Sequence, residues 1–204
     1  MPARWHTATV EDIRIGAVIL TGGSAVRLSG ADKASIELGG LTLLEHALGA
    51  MLDVDEVVVV GDPVPTTRPV TFVREDPPGG GPAAGLLAGL RCFARRPEVV
   101  VALAVDMPLV TSSTVRRLVE AVRAHDDVDG AALIDDSRKV QFLCAAYRLA
   151  GLERVRPPYE EEHGLSMRAL VGGLRLEHVP AFGPEARDVD TWDDLLAMRE
   201  SFGE

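Results

Sequence analysis

The chain has 204 residues, of which 31 are acidic and 21 are lysine or arginine, and its formal net charge is −10 at pH 7. This length predicts one domain with a sizeable core, so residues 1–204 are assigned to a single domain with residues 1–13 as an N-terminal extension. The acidic balance, without any basic cluster, excludes a general nucleic-acid binder. Because the sequence lacks an apolar stretch of membrane-spanning length and a signal-peptide core, we expect no membrane partner and a cytoplasmic location.

An apolar strand followed by a glycine-rich loop is the first strong signal. Residues 15–20 are short, β-branched and not alternating, which is typical of a buried parallel strand. Thr21-Gly22-Gly23 then allows the backbone to approach a ligand, and Arg27 and Lys33 supply cations for phosphate oxygens. The loop from Leu20 to Lys33 matches neither a Walker A loop nor a dinucleotide fingerprint. It predicts a nucleoside triphosphate site, and a tight turn with solvated charges is the alternative.

The remaining elements alternate along the chain. Further strands are predicted at residues 56–60, 70–73, 99–105, 130–134, 142–147 and 174–179. Helices are predicted from Leu44 to Met51, after Pro82, behind Thr111 and from the capping-box pair Thr191 and Asp194. This order predicts a single-domain, three-layer α/β fold of Rossmann-like type with a mostly parallel central sheet. Ligands bind such sheets at the carboxyl ends of the strands.

A second glycine-rich loop lies ahead of the predicted helix at Pro82. Gly79, Gly80 and Gly81 leave the backbone bare, which favours contact with a base or ribose beside a helix N-terminus. Asp76 offers a carboxylate to the same ligand. A flexible surface loop is the alternative.

Carboxylates follow at two further places. Asp106 ends the strand at 99–105, at the same edge of the sheet as the first loop, and its oxygens suit Mg²⁺ bound to phosphates. Asp188 and Asp190 alternate in an extended segment, so they project from one face, and one of them is a candidate second metal ligand. The alternatives are a turn cap for Asp106 and an acidic helix start for the later pair.

In this order the motifs resemble the MobA family of molybdenum cofactor guanylyltransferases, within the larger MobA-like nucleotidyltransferase group. The resemblance covers roughly residues 14–200. It is carried by Leu20-Thr21-Gly22-Gly23, Asp32-Lys33, Asp76 with Gly81-Pro82-Ala83-Ala84-Gly85, Asp106-Met107-Pro108 and Asp188-Val189-Asp190-Thr191. It implies a Rossmann-like fold of the glycosyltransferase-A type.

The resemblance also implies roles for these residues. Lys33 and Arg27 would bind the triphosphate and stabilise charge in the transition state. Asp106 would hold Mg²⁺, helped by Asp190 or Asp188. The nucleotide would lie against Leu20, Thr21, Gly22, Gly23, Asp76 and Gly81.

The implied reaction is attack by the terminal phosphate of molybdopterin on the α-phosphorus of GTP, with release of pyrophosphate. The implied partners are therefore GTP, molybdopterin and, transiently, molybdenum-insertion proteins, for a monomer or weak homodimer. On the acceptor side, Gln141 and Tyr147 are candidates to line the pocket or to pack in the core, and Arg168 is a candidate phosphate ligand.

Three positions depart from the family pattern. Gly61 lies where the family often has an asparagine near guanine, and Thr21 replaces an alanine. Asp188-Val189-Asp190-Thr191 looks more like the cytidylyltransferase relatives. A cytidylyltransferase or sugar-phosphate nucleotidyltransferase is therefore the alternative enzyme, and a non-catalytic nucleotide-binding accessory protein is the alternative of another class.

Overall fold

A seven-stranded sheet lies at the centre of the computed structural model, which describes residues 13–22 and 32–202. Numbered in chain order, the strands are β1 Ile15–Leu20, β2 Glu37–Leu38, β3 Leu41–Thr42, β4 Glu56–Val60, β5 Thr71–Val73, β6 Val99–Ala104, β7 Gly130–Ile134, β8 Val140–Arg148 and β9 Leu176–Pro180. The sheet has the order β5-β4-β1-β6-β8-β7-β9, and β2 and β3 form a separate hairpin. Among the strands of the sheet, β8 runs antiparallel to both of its neighbours and the other pairings are parallel.

Six helices accompany the strands in the described part of the chain. They are α1 Leu43–Ala50, α2 Gly81–Leu90, α3 Ser112–Ala124, α4 Leu149–Val155, α5 Met167–Val171 and α6 Trp192–Phe202. Short 3₁₀ turns lie at Lys33–Ser35, Tyr159–Glu161 and Gly183–Ala186. None of the described helices is both long and apolar enough to cross a membrane.

The sheet is covered on both faces. Successive residues of β1 alternate between two cores: Ala17 and Ile19 pack with α1, α3 and α6, whereas Val18 and Leu20 pack with α2, α4 and α5. The predicted three-layer α/β fold with a mostly parallel sheet is therefore confirmed. The assignment of residues 1–204 to one domain stays a prediction.

The structure extends one predicted strand and adds elements. The strand expected at 142–147 runs from Val140 to Arg148, and a bulge interrupts its pairing with β7. Ala132 pairs with Ala145, yet the next residue, Leu133, pairs with Gln141. Helices α4 and α5 were not expected from the sequence.

The carboxyl ends of β1 and β6 meet at one edge. The amide of Val105 donates to the carbonyl of Leu20 at 3.0 Å, which extends the pairing of the two strands to their last residues. The amide of Val189 donates to the carbonyl of Asp106 at 2.8 Å. The segment before α6 is thereby fixed against this edge, where Lys33, Asp106 and the Asp188–Asp190 pair converge.

Candidate active site

Lys33 lies between two carboxylates at this edge. Its Nζ donates to Asp106 Oδ2 at 2.8 Å and to Asp190 Oδ1 at 3.0 Å. The lysine side chain is 9% exposed, against 22% for Asp106 and 47% for Asp190. A 3₁₀ turn presents Lys33, and Asp32 caps this turn by accepting from the amide of Ala34 at 3.1 Å. Three residues from distant parts of the sequence therefore form one charged cluster.

Burial and neighbouring charges shift the pKa values of Asp106 and Lys33. Burial raises the pKa of Asp106, the charges of Asp190 and Asp188 raise it further, and Lys33 opposes them without reversing the shift. Burial alone would lower the pKa of Lys33, but the two carboxylates outweigh it and the pKa is raised. Lys33 is thus cationic at neutral pH. Asp188 adds a third carboxylate, 3.8 Å from Lys139, so three acids face two lysines.

The segment from Asp188 to Asp190 is held in place at both ends. Val189 is buried, and the acidic residues on either side of it line the same cavity of about 300 Å³. After them, Asp194 accepts from the Thr191 hydroxyl at 2.7 Å, while Thr191 Oγ1 accepts from the Asp194 amide at 3.1 Å. The hydroxyl of Thr191 lowers the pKa of Asp194. The predicted capping pair at the start of α6 is confirmed, and it orients the acidic segment.

A larger cavity of about 570 Å³ begins at the end of β1. Its walls are the ends of β1 and β4, the second glycine loop and the first turn of α2; they comprise Leu20, Gly22, Val60, Glu75, Gly79, Gly81, Pro82 and Gly85. This volume lies within the usual range for small-molecule sites. None of the described side chains caps α2, whose N-terminus faces this cavity. Pro82 lines both cavities, so the two adjoin.

The other residues predicted to bind the nucleotide do not all line the large cavity. Asp76 lies in a separate small cleft beside Tyr159, and its neighbour Glu75 lines the large cavity. Arg27 and Gly23 lie outside the described residues. Sequence reasoning missed Glu75, although it shares with Asp76 the position at the end of β5 where parallel strands present their ligands.

Thr21 and Gly61 pack against each other beside the large cavity. The Thr21 hydroxyl donates to the carbonyl of Val60 at 3.0 Å. Gly61 has a φ of +155°, and a Cβ there would lie 1.9 Å from Thr21 Oγ1. The residue after β4 therefore has no room for a side chain, at the position where the family pattern often has an asparagine.

The smaller cavity is bounded by the bulged part of β8. Gln141 and Phe142 line it together with Met167. The guanidinium of Arg168 lies 5.8 Å from the centre of the Phe142 ring. Tyr147 is fully buried in the core, and its hydroxyl donates to the carbonyl of Phe142 at 2.7 Å, so it supports the bulge from behind.

The carboxylates of the cluster suit a hard cation. Within the described residues, no group of three or more histidine, cysteine or acidic side chains is arranged to enclose a metal ion. Asp106 and Asp190 nevertheless direct oxygens at one ammonium group, which shows that a single cation can contact both. Mg²⁺ is commonly held by one or two carboxylates together with substrate phosphates and water. The donor set therefore fits Mg²⁺ that arrives with a nucleotide.

Comparisons with known proteins cover most of the chain. A family model described as the MobA-like NTP transferase domain matches residues 17–178. A molybdenum cofactor guanylyltransferase of Bradyrhizobium sp. (strain ORS 278) is 31% identical over 166 residues, which are 65% of this chain and 78% of the relative.

Solved structures share the fold. Molybdopterin-guanine dinucleotide biosynthesis protein A from Archaeoglobus fulgidus matches with a TM-score of 0.69 and 22% identity, over 92% of this chain and 98% of the other. 2-C-methyl-D-erythritol 4-phosphate cytidylyltransferase from Thermus thermophilus matches with a TM-score of 0.72 and 21% identity, over 94% of this chain and 100% of the other. At these identities the structural likeness concerns the fold alone.

Proposed function

Because this chain belongs to the MobA-like NTP transferase family and is similar to a guanylyltransferase, we propose that it is a nucleotidyltransferase that transfers GMP from GTP to molybdopterin and releases pyrophosphate. The observation that carries the proposal is the Lys33 ammonium bound by Asp106 and Asp190, two carboxylates that line the smaller cavity, which adjoins the larger one at Pro82. A cation and a pair of carboxylates at the carboxyl ends of β1 and β6 form a site for a metal-bound triphosphate.

The two cavities suit the two substrates. The base and ribose of GTP occupy the larger cavity, against the glycine loop and the first turn of α2, and the phosphates extend past Gly22 to Lys33. Molybdopterin occupies the smaller cavity, where Phe142 offers a ring face and Gln141 an amide. The Arg168 guanidinium lies beside the Phe142 ring, where it would contact the phosphate of the acceptor. The resemblance to the MobA family also implies transient contact with molybdenum-insertion proteins.

The reaction joins one phosphate oxygen of molybdopterin to the α-phosphorus of GTP. The bond from that phosphorus to the oxygen bridging it to the β-phosphorus breaks, and pyrophosphate leaves with that oxygen. Transfer of this kind requires positioning and charge stabilisation, and no protein nucleophile. Lys33 donates hydrogen bonds to the phosphate oxygens as charge develops on them. Arg27, which the resemblance places on the same phosphates, is proposed to assist.

Asp106 and Asp190 would hold Mg²⁺, with Asp188 as the alternative partner on the other side of Val189. When bound, Mg²⁺ supplies charge neutralisation and orientation for the phosphate oxygens. The carboxylates then have a counter-charge other than Lys33, whose ammonium is released toward the nucleotide.

The first test is thermal unfolding with Mg²⁺ and a panel of GTP, CTP, ATP and UTP. A ligand at about 100 times its Kd adds about 2.7 kcal/mol of stability, which raises the Tm of a chain of this size by about 5–10 °C. We expect this shift with GTP, and we expect Lys33→Met to abolish most of it. Release of pyrophosphate on addition of molybdopterin then separates an enzyme from a protein that only binds nucleotide.

Two results would redirect the assignment. A shift selective for CTP would favour the cytidylyltransferase alternative, which Asp190 supports because it stands where the guanylyltransferases usually carry asparagine. Saturable GTP binding without pyrophosphate release in the presence of molybdopterin would favour the accessory protein. The absence of a shift with every nucleotide would contradict the proposal as a whole.

A further inference from the structure

The second glycine loop accepts hydrogen bonds from a segment that does not line the large cavity. We call residues 75–81 the nucleotide loop and residues 156–165 the clasp. We propose that the clasp fixes the nucleotide loop in its binding conformation, with Tyr159 and Glu162 as positioning residues. The identity of the ligand rests on the proposed function, whereas the contact between the two segments does not.

The clasp contacts the nucleotide loop near both ends. The Tyr159 hydroxyl donates to the carbonyl of Asp76. The amide of Gly164 donates to the carbonyl of Gly80 at 2.8 Å. His163 lies so close that a Cβ on Gly80 would be 3.3 Å from its Nδ1. Asp76, Tyr159 and His163 line a separate cleft of only about 20 Å³, and no residue of the clasp lines the large cavity.

A buried carboxylate holds the clasp together. Glu162 is only 4% exposed and accepts from two guanidinium groups, Arg91 and Arg156, the latter from Nε at 3.1 Å. The Arg91 guanidinium also lies 5.0 Å from the centre of the Tyr159 ring. A buried carboxylate is costly unless its charge and its oxygens are satisfied. The network therefore specifies one position of the clasp.

Helix α2 links this network to the site. Its first residue, Gly81, lines the large cavity, and Arg91 follows its last residue at the opposite end. The clasp is thus bound to the C-terminal end of α2 through Arg91 and to the loop that precedes its N-terminus through Asp76 and Gly80. Loop, helix and clasp form a closed unit.

The composition of the nucleotide loop explains why it needs such support. Residues 77–81 are two prolines and three glycines, with no side chain large enough to anchor the segment in a core. Glycine loses more conformational entropy on ordering than any other residue. A loop that is ordered before the ligand arrives spares this cost at binding and so raises affinity.

The decisive variant is Tyr159→Phe, which deletes the hydroxyl bound to Asp76 and keeps the ring beside Arg91. Tyr159 is 49% exposed, so the variant should fold. We expect its Kd for GTP with Mg²⁺ to rise about three- to tenfold, the value of one hydrogen bond that orders the loop. KM for GTP should rise in proportion with kcat unchanged. In the free protein, hydrogen exchange at the Gly164 amide should accelerate, and Glu162→Gln should produce the same changes to a larger degree.

Asp129→Asn provides the matched control. Asp129 also binds an arginine and a backbone amide, Arg154 Nη2 at 2.7 Å and the Arg175 amide at 2.9 Å, but it precedes β7, the next-to-last strand of the sheet, and does not contact the nucleotide loop. We expect a lower Tm with an unchanged Kd for GTP. An equal rise in Kd in this control would mean that general destabilisation is the cause, and the clasp would be refuted.

The outcomes separate the two proposals. Unchanged GTP affinity and unchanged Gly164 exchange in Tyr159→Phe would overturn the clasp while leaving the guanylyltransferase assignment intact. If the unmodified protein binds no nucleotide, the proposed function fails. The exchange rate of the Gly164 amide still decides in that case whether the clasp orders the loop.

Discussion

At the end of β4, the Thr21 hydroxyl occupies the space that a side chain at position 61 would require. The Gly61 backbone has a φ of +155°, a conformation that L-residues rarely adopt, and a Cβ there would lie 1.9 Å from Thr21 Oγ1. We therefore expect the alanine-to-threonine and asparagine-to-glycine departures from the family pattern to be energetically coupled. They lie 40 positions apart, so the sequence alone did not reveal the coupling.

A double-mutant cycle tests this coupling. We expect Gly61→Asn to lower the free energy of unfolding by about 2–4 kcal/mol, because it combines overpacking with backbone strain. Thr21→Ala should cost about 1 kcal/mol for the lost hydrogen bond to Val60. Chemical denaturation of the double variant should show less than the sum of the two losses, by about 1 kcal/mol or more. Strict additivity would show that the two side chains do not compete for this space.

At the level of elements, α2 lies unusually close to β1. A Cβ on Gly89 would lie 2.5 Å from Val18 Cγ1, and one on Gly85 would lie 3.0 Å from Leu20 Cδ2. The close approach matters for the site because α2 carries Gly81 and Pro82 into the large cavity. Its position over β1 sets the width of that cavity.

Two helical glycines allow a matched test of this packing. Gly89→Ala should lower the free energy of unfolding by about 1–3 kcal/mol through overpacking against Val18, and it should raise the Kd for GTP as α2 moves. Gly49→Ala, in α1, meets no atom within 4 Å of its new Cβ. This control should be neutral or stabilise the protein by up to about 1 kcal/mol, with Kd unchanged. Equal effects of the two variants in thermal unfolding and GTP titration would contradict the packing argument.

The elements that the sequence predicted well are those whose signal is local. β1 is an apolar run and β4 has four consecutive valines after Glu56, and the predicted bounds of both match the structure. Helices α4 and α5 span only seven and five residues, and helices this short depend on tertiary packing. The bulge in β8 was likewise hidden, since the buried hydroxyl of Tyr147 stabilises it from another part of the strand.

At the scale of the whole molecule, the candidate site was accessible from sequence where topology alone brings residues together. Lys33 and Asp106 follow from the rule that parallel strands present ligands at their carboxyl ends, whereas Asp190 was only one of two candidates, with Asp188, in an extended segment. Glu162 carried no such signal. Its role depends on contacts with Arg91 and Arg156 that form only when a loop folds back on α2.

From the charge of the molecule we expect binding of the proposed nucleotide to depend on a divalent cation. The net charge is −10, and three carboxylates near the phosphate site face two lysines. A triphosphate that arrives without Mg²⁺ is repelled both by the net charge and by this cluster. Exposed charges more than a Debye length of about 8 Å away are largely screened at physiological salt, so the local carboxylates dominate.

Asp106→Asn should therefore change GTP affinity in opposite directions with and without the metal. With Mg²⁺, the variant loses a ligand and its Kd should rise about tenfold or more. In EDTA it should bind GTP more tightly than the unmodified protein, because a carboxylate that repels phosphate is gone and Lys33 has one partner fewer. A unit charge 10 Å away contributes about 1.7 kcal/mol at an effective dielectric constant near 20, again close to tenfold. Isothermal titration in the two buffers measures both effects.

Asp53→Asn is the control variant. It changes the net charge equally, because it removes a carboxylate that is 62% exposed and pairs with Arg116 before β4. A crossover for Asp106→Asn alone identifies the local field as the cause, whereas the same change in both variants would assign it to the net charge.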